Sequence, residues 1–402
     1  MNISNCTGTQ HSNYTGIGLY IHIPFCVSKC TYCDFLSFEH TSIETQENYV
    51  AALINEMELT LHELADAVID TVYIGGGTPT ALPAKLLCNI LQKVQQFNLS
   101  PNSEFTIEIN PELKGVSKKH NPITLTQLKS YGINRLSIGL QAWQNDLLKS
   151  IKRPHTTHDF INTMQAARAA GFDNINVDLM FALPNQTISH WQESITQVLA
   201  HSPEHISAYS LTPAENTPLW ESLESGNTIL PDDTIDRTMY HEAIVKLKSA
   251  GYNHYELSNF AKPGHKSRHN TNCWQRKPYI GLGLGAHSFN GTARWHNTDD
   301  MQKYVSAITD IQQHEKSHAI REDFISLTQQ DSMSETMFLG LRMTEGVSLH
   351  GFFKTFGKSL QDCYGPQLDQ AIANGLLTVT DDHVALTPRG LDLANRVFEM
   401  FI

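Results

Sequence analysis

Gly18–Phe35 reads GLYIHIPFCVSKCTYCDF and sets Cys26, Cys30 and Cys33 in a C-x3-C-x2-C triplet at the end of an apparent strand. Three thiolates leave one iron of a four-iron cluster without a protein ligand, whereas structural zinc and ordinary electron-carrier clusters take four. The triplet therefore points to an iron held open for an exogenous ligand. A core group of cysteines, half of a zinc site and a redox pair are the other readings of so short a run. A zinc half-site needs a second ligand pair, and Cys6, Cys88, Cys273 and Cys363 are isolated and far apart. Tyr20, Phe25, Tyr32 and Phe35 give the triplet an aromatic setting that suits a group shielded from water.

Working outward, the 402-residue chain is long enough for a large core plus a smaller domain, and 40% apolar with 17% charged residues is an ordinary globular balance. A formal net charge of -12 argues against a nucleic-acid partner, because phosphate binding needs a basic face. No stretch is long and apolar enough for a transmembrane segment, and residues 1–16 lack the basic start and apolar centre of a signal peptide, so a cytoplasmic location is expected. That tail is read as disordered. An odd cysteine count with a clustered triplet fits a reducing compartment.

From residue 17 short β-rich runs alternate with amphipathic stretches. Candidate strands are 19–23, 71–74, 104–109, 135–139, 174–179 and 205–211; helical segments are 45–64, 82–97, 125–131, 157–170 and 189–201. Parallel strands need a crossover, and helices supply it, so six β–α units predict an α/β fold: a partial six-stranded (β/α)6 barrel. Several strands end in polar or glycine residues, which in such barrels gather at one face. Residues 17–250 are assigned to the barrel. Residues 251–319 are assigned as a connecting region; within it 251–289, rich in Gly, His, Asn and aromatics, reads as ordered loops covering a site. Residues 320–402 form a mostly helical, winged-helix-like domain with two short strands joined at Asp381–Asp382 and a last helix from near Thr387. Residues 321–402 hold six Lys/Arg against eleven Asp/Glu, a net of 6 − 11 = −5, which makes protein packing a better role for that domain than DNA binding.

Gly75–Thr80, GGGTPT, follows a strand directly; alone it reads as a tight strand-to-helix turn or as a place where backbone meets a ligand. Glu108, Gln141, Arg153 and Asp178 are unremarkable singly, an exposed surface role being the default for Arg153 and a buried cap for Asp178. Their placement after successive strands favours polar contacts to one ligand, with Arg153 suited to a carboxylate.

The cysteine spacing is that of the radical SAM superfamily, which this chain resembles. YIHIPFCVSKCTYCDF, YIGGGTPT, RLSIGLQAW, NVDLMFALP and KPGHKSRHNTNCWQRKPYIGLGLGAHSF together resemble the oxygen-independent coproporphyrinogen III oxidase-like family, and within it the heme-chaperone branch, from about residue 17 to the C-terminus. The resemblance implies a [4Fe–4S] cluster on Cys26, Cys30 and Cys33, with S-adenosylmethionine (SAM) chelating the open iron. It implies Tyr20, Tyr32, Gly76, Gly77, Thr78, Glu108, Gln141, Arg153 and Asp178 around SAM.

Two features separate chaperone from oxidase. Oxidases of the family carry a further cysteine two residues after the triplet, whereas here the chain runs Cys33–Asp34–Phe35, and their N-terminal extension is missing. The chaperone branch carries an H-N-x-x-Y-W motif associated with heme; this chain has His269–Asn270–Thr271–Asn272–Cys273–Trp274, with Cys in place of Tyr. His269 could donate imidazole to heme iron. Cys273 could be a thiolate ligand, a thioether attachment point or a small apolar replacement. His265 and His287 are rival ligands. The expected function is thus to bind heme, cluster and SAM and to pass heme to an acceptor apoprotein. The alternatives are radical decarboxylation of coproporphyrinogen III, a radical SAM enzyme acting on heme, and a winged-helix regulator with a cluster sensor.

Overall fold

The structure, a computed structural model, describes residues 15–111, 122–309 and 319–402. Strands β1 (Thr15–Ile23), β2 (Val68–Gly76), β3 (Leu99–Ile109), β4 (Arg135–Gln141), β5 (Ile175–Phe181) and β6 (His205–Ser210) pair in parallel, each with the next in sequence. Helices Ile43–Glu63, Ala84–Val94, Leu125–Ser130, Thr157–Ala169 and Ile188–Ala200 return the chain between them. Residues 1–14 of the expected disordered tail lie outside the described residues, and its last two residues already belong to β1.

Local chemistry starts these helices. Thr124 with Gln127, Thr156 with Asp159 and Thr187 with His190 each form a reciprocal cap, in which the threonine hydroxyl takes the third helical N–H and the third side chain takes the cap N–H. The strands then alternate by face. Leu136, Ile138 and Leu140 of β4, Ile175, Val177 and Leu179 of β5, and Leu19, Ile21 and Ile23 of β1 join Leu53, Leu87, Phe160 and Trp191 of the helices in one core. Each such side chain contributes about 1.5–3 kcal/mol when buried. The opposite face carries Tyr73, Glu108, Arg135, Ser137, Asn176 and Asp178, which line a cavity instead of a second apolar layer. This departs from the apolar runs usual in parallel strands covered on both faces.

The segment expected as loops, 251–289, is built differently. β7 (Asn253–Glu256) and β8 (Asn259–Ala261) extend the sheet antiparallel from β6, while β9 (Tyr279–Leu282) pairs in parallel with β1 as a seventh parallel strand. β10 (His287–Phe289), β11 (Ala293–Asn297) and β12 (Arg321–Ser326) continue beyond it. The sheet order is β12-β11-β10-β9-β1-β2-β3-β4-β5-β6-β8-β7. These segments are short and interrupted by glycine; the open edges of the sheet, not their own periodicity, make them strands.

The C-terminal residues form a second core around Met337, Leu341, Phe352, Leu368 and Val397, with a three-stranded sheet of β13 (Val347–Ser348), β14 (Leu377–Val379) and β15 (His383–Leu386). The expected last helix is two: Thr387 caps Pro388–Asp392, and Ala394–Glu399 follows a break at Leu393. Among the described residues no helix is long and apolar enough to cross a membrane.

Candidate cluster and cofactor site

The chain leaves β1 at Ile23 and makes the cysteine loop over the strand ends. Cys30 is buried, Cys26 and Cys33 half-buried; none forms a disulfide. All three line a cavity of about 330 Å³. Backbone locks the loop onto the glycine turn after β2: Gly77 N donates to Ile23 O and Thr78 N to Phe25 O, both at 2.8 Å. A Cβ at Gly77 would stand 2.7 Å from the Phe25 carbonyl oxygen, so glycine is required there. Gly76 has φ +109°, a conformation open to glycine, and a Cβ would meet the His22 ring at 2.5 Å.

Burial pushes the Cys26 and Cys33 thiols up, and the neighbouring cysteines push the same way. Against this, Arg153 Nη1 lies 3.5 Å from Cys30 Sγ, the Thr78 hydroxyl 3.9 Å from Cys26 Sγ. Among the described residues no three His, Cys, Asp or Glu side chains converge on one metal ion. A four-iron cluster does not need that convergence, because it takes each thiolate on a different iron at its own corner. Three unpaired thiols around one cavity beside a cation are the donor set such a cluster takes.

Below the loop, Glu108 accepts from Tyr73 Oη at 2.7 Å and from Gly76 N at 3.2 Å. Its pKa is pushed up to about 7, first by burial, then by Asp178. Asp178, also raised by burial, is held by Asn176 Nδ2 at 2.7 Å and Ser137 Oγ at 3.4 Å. Gln141 ends β4 at φ +74°, where the β4–β5 register slips, and its Oε1 accepts from Tyr209 Oη at 3.0 Å. A non-glycine residue at such φ stores strain, which concentrates at ligand sites. Arg153 donates from Nη2 to Asn110 Oδ1 and to Gly139 O, both at 2.5 Å.

The cavity thus gathers Cys26, Cys30, Cys33 and Tyr32 from the loop, Gly76, Gly77 and Thr78 from the turn, Glu108 and Gln141 from the ends of β3 and β4, Asp178 from the middle of β5, and Arg153 from the loop after the helix Asn145–Ser150. Tyr20 is not in its lining; its ring stacks on Tyr73 at 6.3 Å and its hydroxyl is bonded to His22 Nδ1 at 2.9 Å. Nor are His269 and Cys273, although Asn270 between them is. His269 is buried, its Nδ1 bonded to the Thr71 hydroxyl at 2.9 Å and its pKa lowered by burial to about 4. Glu104 takes the N–H groups of Arg268 and His269, fixing the helix Arg268–Trp274 against β3. Burial pushes the Cys273 thiol up to about 12, which favours thiol over thiolate. Tyr73, Asn110, Arg135 and Asn176 also line the cavity and were not expected. The signal was available: in RLSIGLQ, polar or small residues alternate with apolar ones, marking a polar inward face.

Comparison with known proteins accords with this geometry. Residues 20–198 match the Radical SAM superfamily and residues 327–393 the HemN C-terminal domain. The chain is 37% identical to the heme chaperone HemW of Bacillus subtilis (strain 168), over 95% of this chain and 98% of that protein. The chain belongs to the HemW family. It is also 34% identical to the HemW of Lactococcus lactis (95% and 96% covered) and 30% identical to that of Escherichia coli K12 (96% and 98% covered). The solved structure of the E. coli coproporphyrinogen III oxidase HemN, a radical SAM enzyme, superposes with a TM-score of 0.82 at 20% identity, covering 98% of this chain and 91% of that one. That likeness is one of fold, and the HemW relatives carry the family assignment.

Proposed function

We propose that this chain is a cytoplasmic heme chaperone, holding a [4Fe–4S] cluster on Cys26, Cys30 and Cys33, SAM in the cavity beneath, and heme for transfer to an acceptor apoprotein. The observation that carries it is the near full-length identity to HemW proteins together with the Cys33–Asp34–Phe35 ending. The six parallel strands are taken as a partial (β/α)6 barrel within 17–250, 251–319 as the connecting segment with the heme motif, and 320–402 as a winged-helix-like packing module.

When bound, the cluster supplies one-electron chemistry and an open iron for SAM. The chain's own residues do the positioning. Arg153, clamped by Asn110 and the Gly139 carbonyl, presents a fixed cation beside Cys30 and offsets thiolate charge while facing the SAM carboxylate. Glu108 and the Gly76–Thr78 turn offer acceptors to the SAM ammonium, Gln141 and Asp178 polar atoms to its ribose, and Tyr32 a ring that excludes water. Tyr20 supports this shell from behind through Tyr73. Heme is assigned to the segment His269–Trp274, where His269 would offer its Nε2 to iron, its Nδ1 being held by Thr71, and Cys273 would fill the place of the family's tyrosine.

Anaerobic reconstitution, followed by incubation of the heme-loaded protein with an apo-cytochrome, tests the reading. Heme should move to the acceptor, and coproporphyrinogen III should remain undecarboxylated with reductant and SAM. Catalytic protoporphyrinogen IX formation beyond one turnover would replace the chaperone reading with the oxidase.

A further inference from the structure

Arg135, the first residue of β4, is 2% exposed and lines the cavity, yet among the described residues its guanidinium is held by no hydrogen bond or ion pair, and its Nε is a buried donor without a partner. A buried charge without a hydrogen-bonded counter-charge is strongly unfavourable. The two nearby acids are engaged elsewhere: Glu108 with Tyr73 and Gly76 N, Asp178 with Asn176 and Ser137. Both feel the charge of Arg135, which favours their ionised forms, but neither touches it.

Register fixes the depth. Arg135 stands beside Thr106, itself beside Tyr73, whereas Gly139, whose carbonyl holds Arg153, lies four residues farther along β4. At ~3.3 Å per residue that is about 13 Å of strand. Arg153 marks the cysteine end of the cavity and Arg135 its deep end.

We propose that Arg135 is an anion anchor that receives a carboxylate of a ligand seated deep in this cavity, through the two-nitrogen fork that suits carboxylates. The inference rests on the reading of the cavity as the SAM site. The ligand with a carboxylate free for it is a tetrapyrrole, through a propionate, because the single carboxylate of SAM is assigned to Arg153 at the cysteine end.

The test uses full-length reconstituted protein, wild type and Arg135→Gln, with iron and sulfide content as the folding control. Binding is measured anaerobically for SAM against decarboxylated SAM, and for heme against its dimethyl ester. Arg135→Gln is expected to lose on the order of tenfold affinity for heme and none for its dimethyl ester, with SAM affinity unchanged. Loss confined to heme assigns the anchor to a propionate, and loss confined to SAM overturns the proposal and moves the SAM carboxylate from Arg153 to Arg135. Unchanged affinity for both acids, or equal loss for acid and counterpart, overturns the proposal and leaves Arg135 as a counter-charge for Glu108 and Asp178. If Arg135→Gln takes up no cluster, Arg135→Lys decides: it keeps the charge without the fork, so the acid-to-ester preference should fall several-fold, and an unchanged preference overturns the proposal. Wild-type protein that bound no SAM would sink the site reading itself, an outcome separate from these.

Discussion

Arg153 Nη1 stands 3.5 Å from Cys30 Sγ while its Nη2 is clamped between Asn110 Oδ1 and the Gly139 carbonyl. One guanidinium thus ties the cluster loop to the ends of β3 and β4. Arg153→Lys keeps the charge but loses the fork, so SAM affinity should fall by about tenfold with cluster content retained, consistent with the ~1.5–3 kcal/mol of a charged hydrogen bond. Anaerobic equilibrium dialysis checks it, and wild-type affinity in this variant would remove Arg153 from the SAM site.

Cys26→Ala, Cys30→Ala and Cys33→Ala should each abolish the cluster absorption, whereas Cys88→Ala and Cys363→Ala should leave it. Only the first three sulfurs line the cavity; Cys88 packs against the main core and Cys363 lies near Met333 Sδ at 3.8 Å. Full iron content in Cys30→Ala protein would sink the ligand assignment.

The β–α period was legible because capping threonines and alternating faces state it locally. The seventh parallel strand was not. Tyr-Ile-Gly-Leu at 279–282 is too short to declare a period, and it is a strand because β1 offers an open edge and Gly281 fits where a Cβ would meet the His287 carbonyl oxygen at 2.2 Å. Site residues at strand ends, such as Glu108 and Gln141, were legible from position. Arg135 was legible only in part: the alternation in RLSIGLQ sets it on the polar face with Ser137 and Gln141, but it begins the strand, and only the register shows how deep in the cavity it stands. His269 was legible as an imidazole, but its burial against Thr71 depends on a contact 198 residues distant in sequence.

Glu108 makes binding depend on pH. With its pKa raised from 4.5 to about 7, mainly by burial, it is largely protonated in mild acid and ionises through neutrality. SAM affinity should therefore rise from about pH 6 to about pH 8, as the carboxylate proposed to meet the SAM ammonium forms. Stability runs the other way. The unfolded chain releases this proton near 4.5 and the folded one near 7, so the stability contributed by neutral Glu108 is full below the lower value and is lost as pH rises through the upper. Glu108→Gln should flatten both dependences and weaken SAM throughout; a SAM titration in Glu108→Gln protein that retained the wild-type slope would assign the titration to another group.

The heme assignment is tested where the structure makes it most demanding. His269 has Nδ1 committed to Thr71 and its ring against Tyr73 at 5.3 Å, so the proposed ligation would fall to Nε2 of a side chain that is also part of the barrel interior. His269→Ala should lower stability by about 2–4 kcal/mol through lost packing and the orphaned Thr71 hydroxyl. It should also weaken heme binding and shift the Soret band with the cluster spectrum intact. Thr71→Val separates the two effects: it releases Nδ1 and costs stability, but leaves the imidazole for iron, so the Soret position should hold. Cys273→Tyr should retain heme, since burial keeps that sulfur protonated and a poor ligand; loss of acid-stable heme in this variant would instead mark Cys273 as a covalent tether. If the His269→Ala, Cys273→Ala double variant binds heme with unaltered affinity and spectrum, the ligand lies elsewhere. His287 is then the first candidate, because it is exposed and its ring stands 5.1 Å from that of His296 on the adjacent strand, with His265 the second.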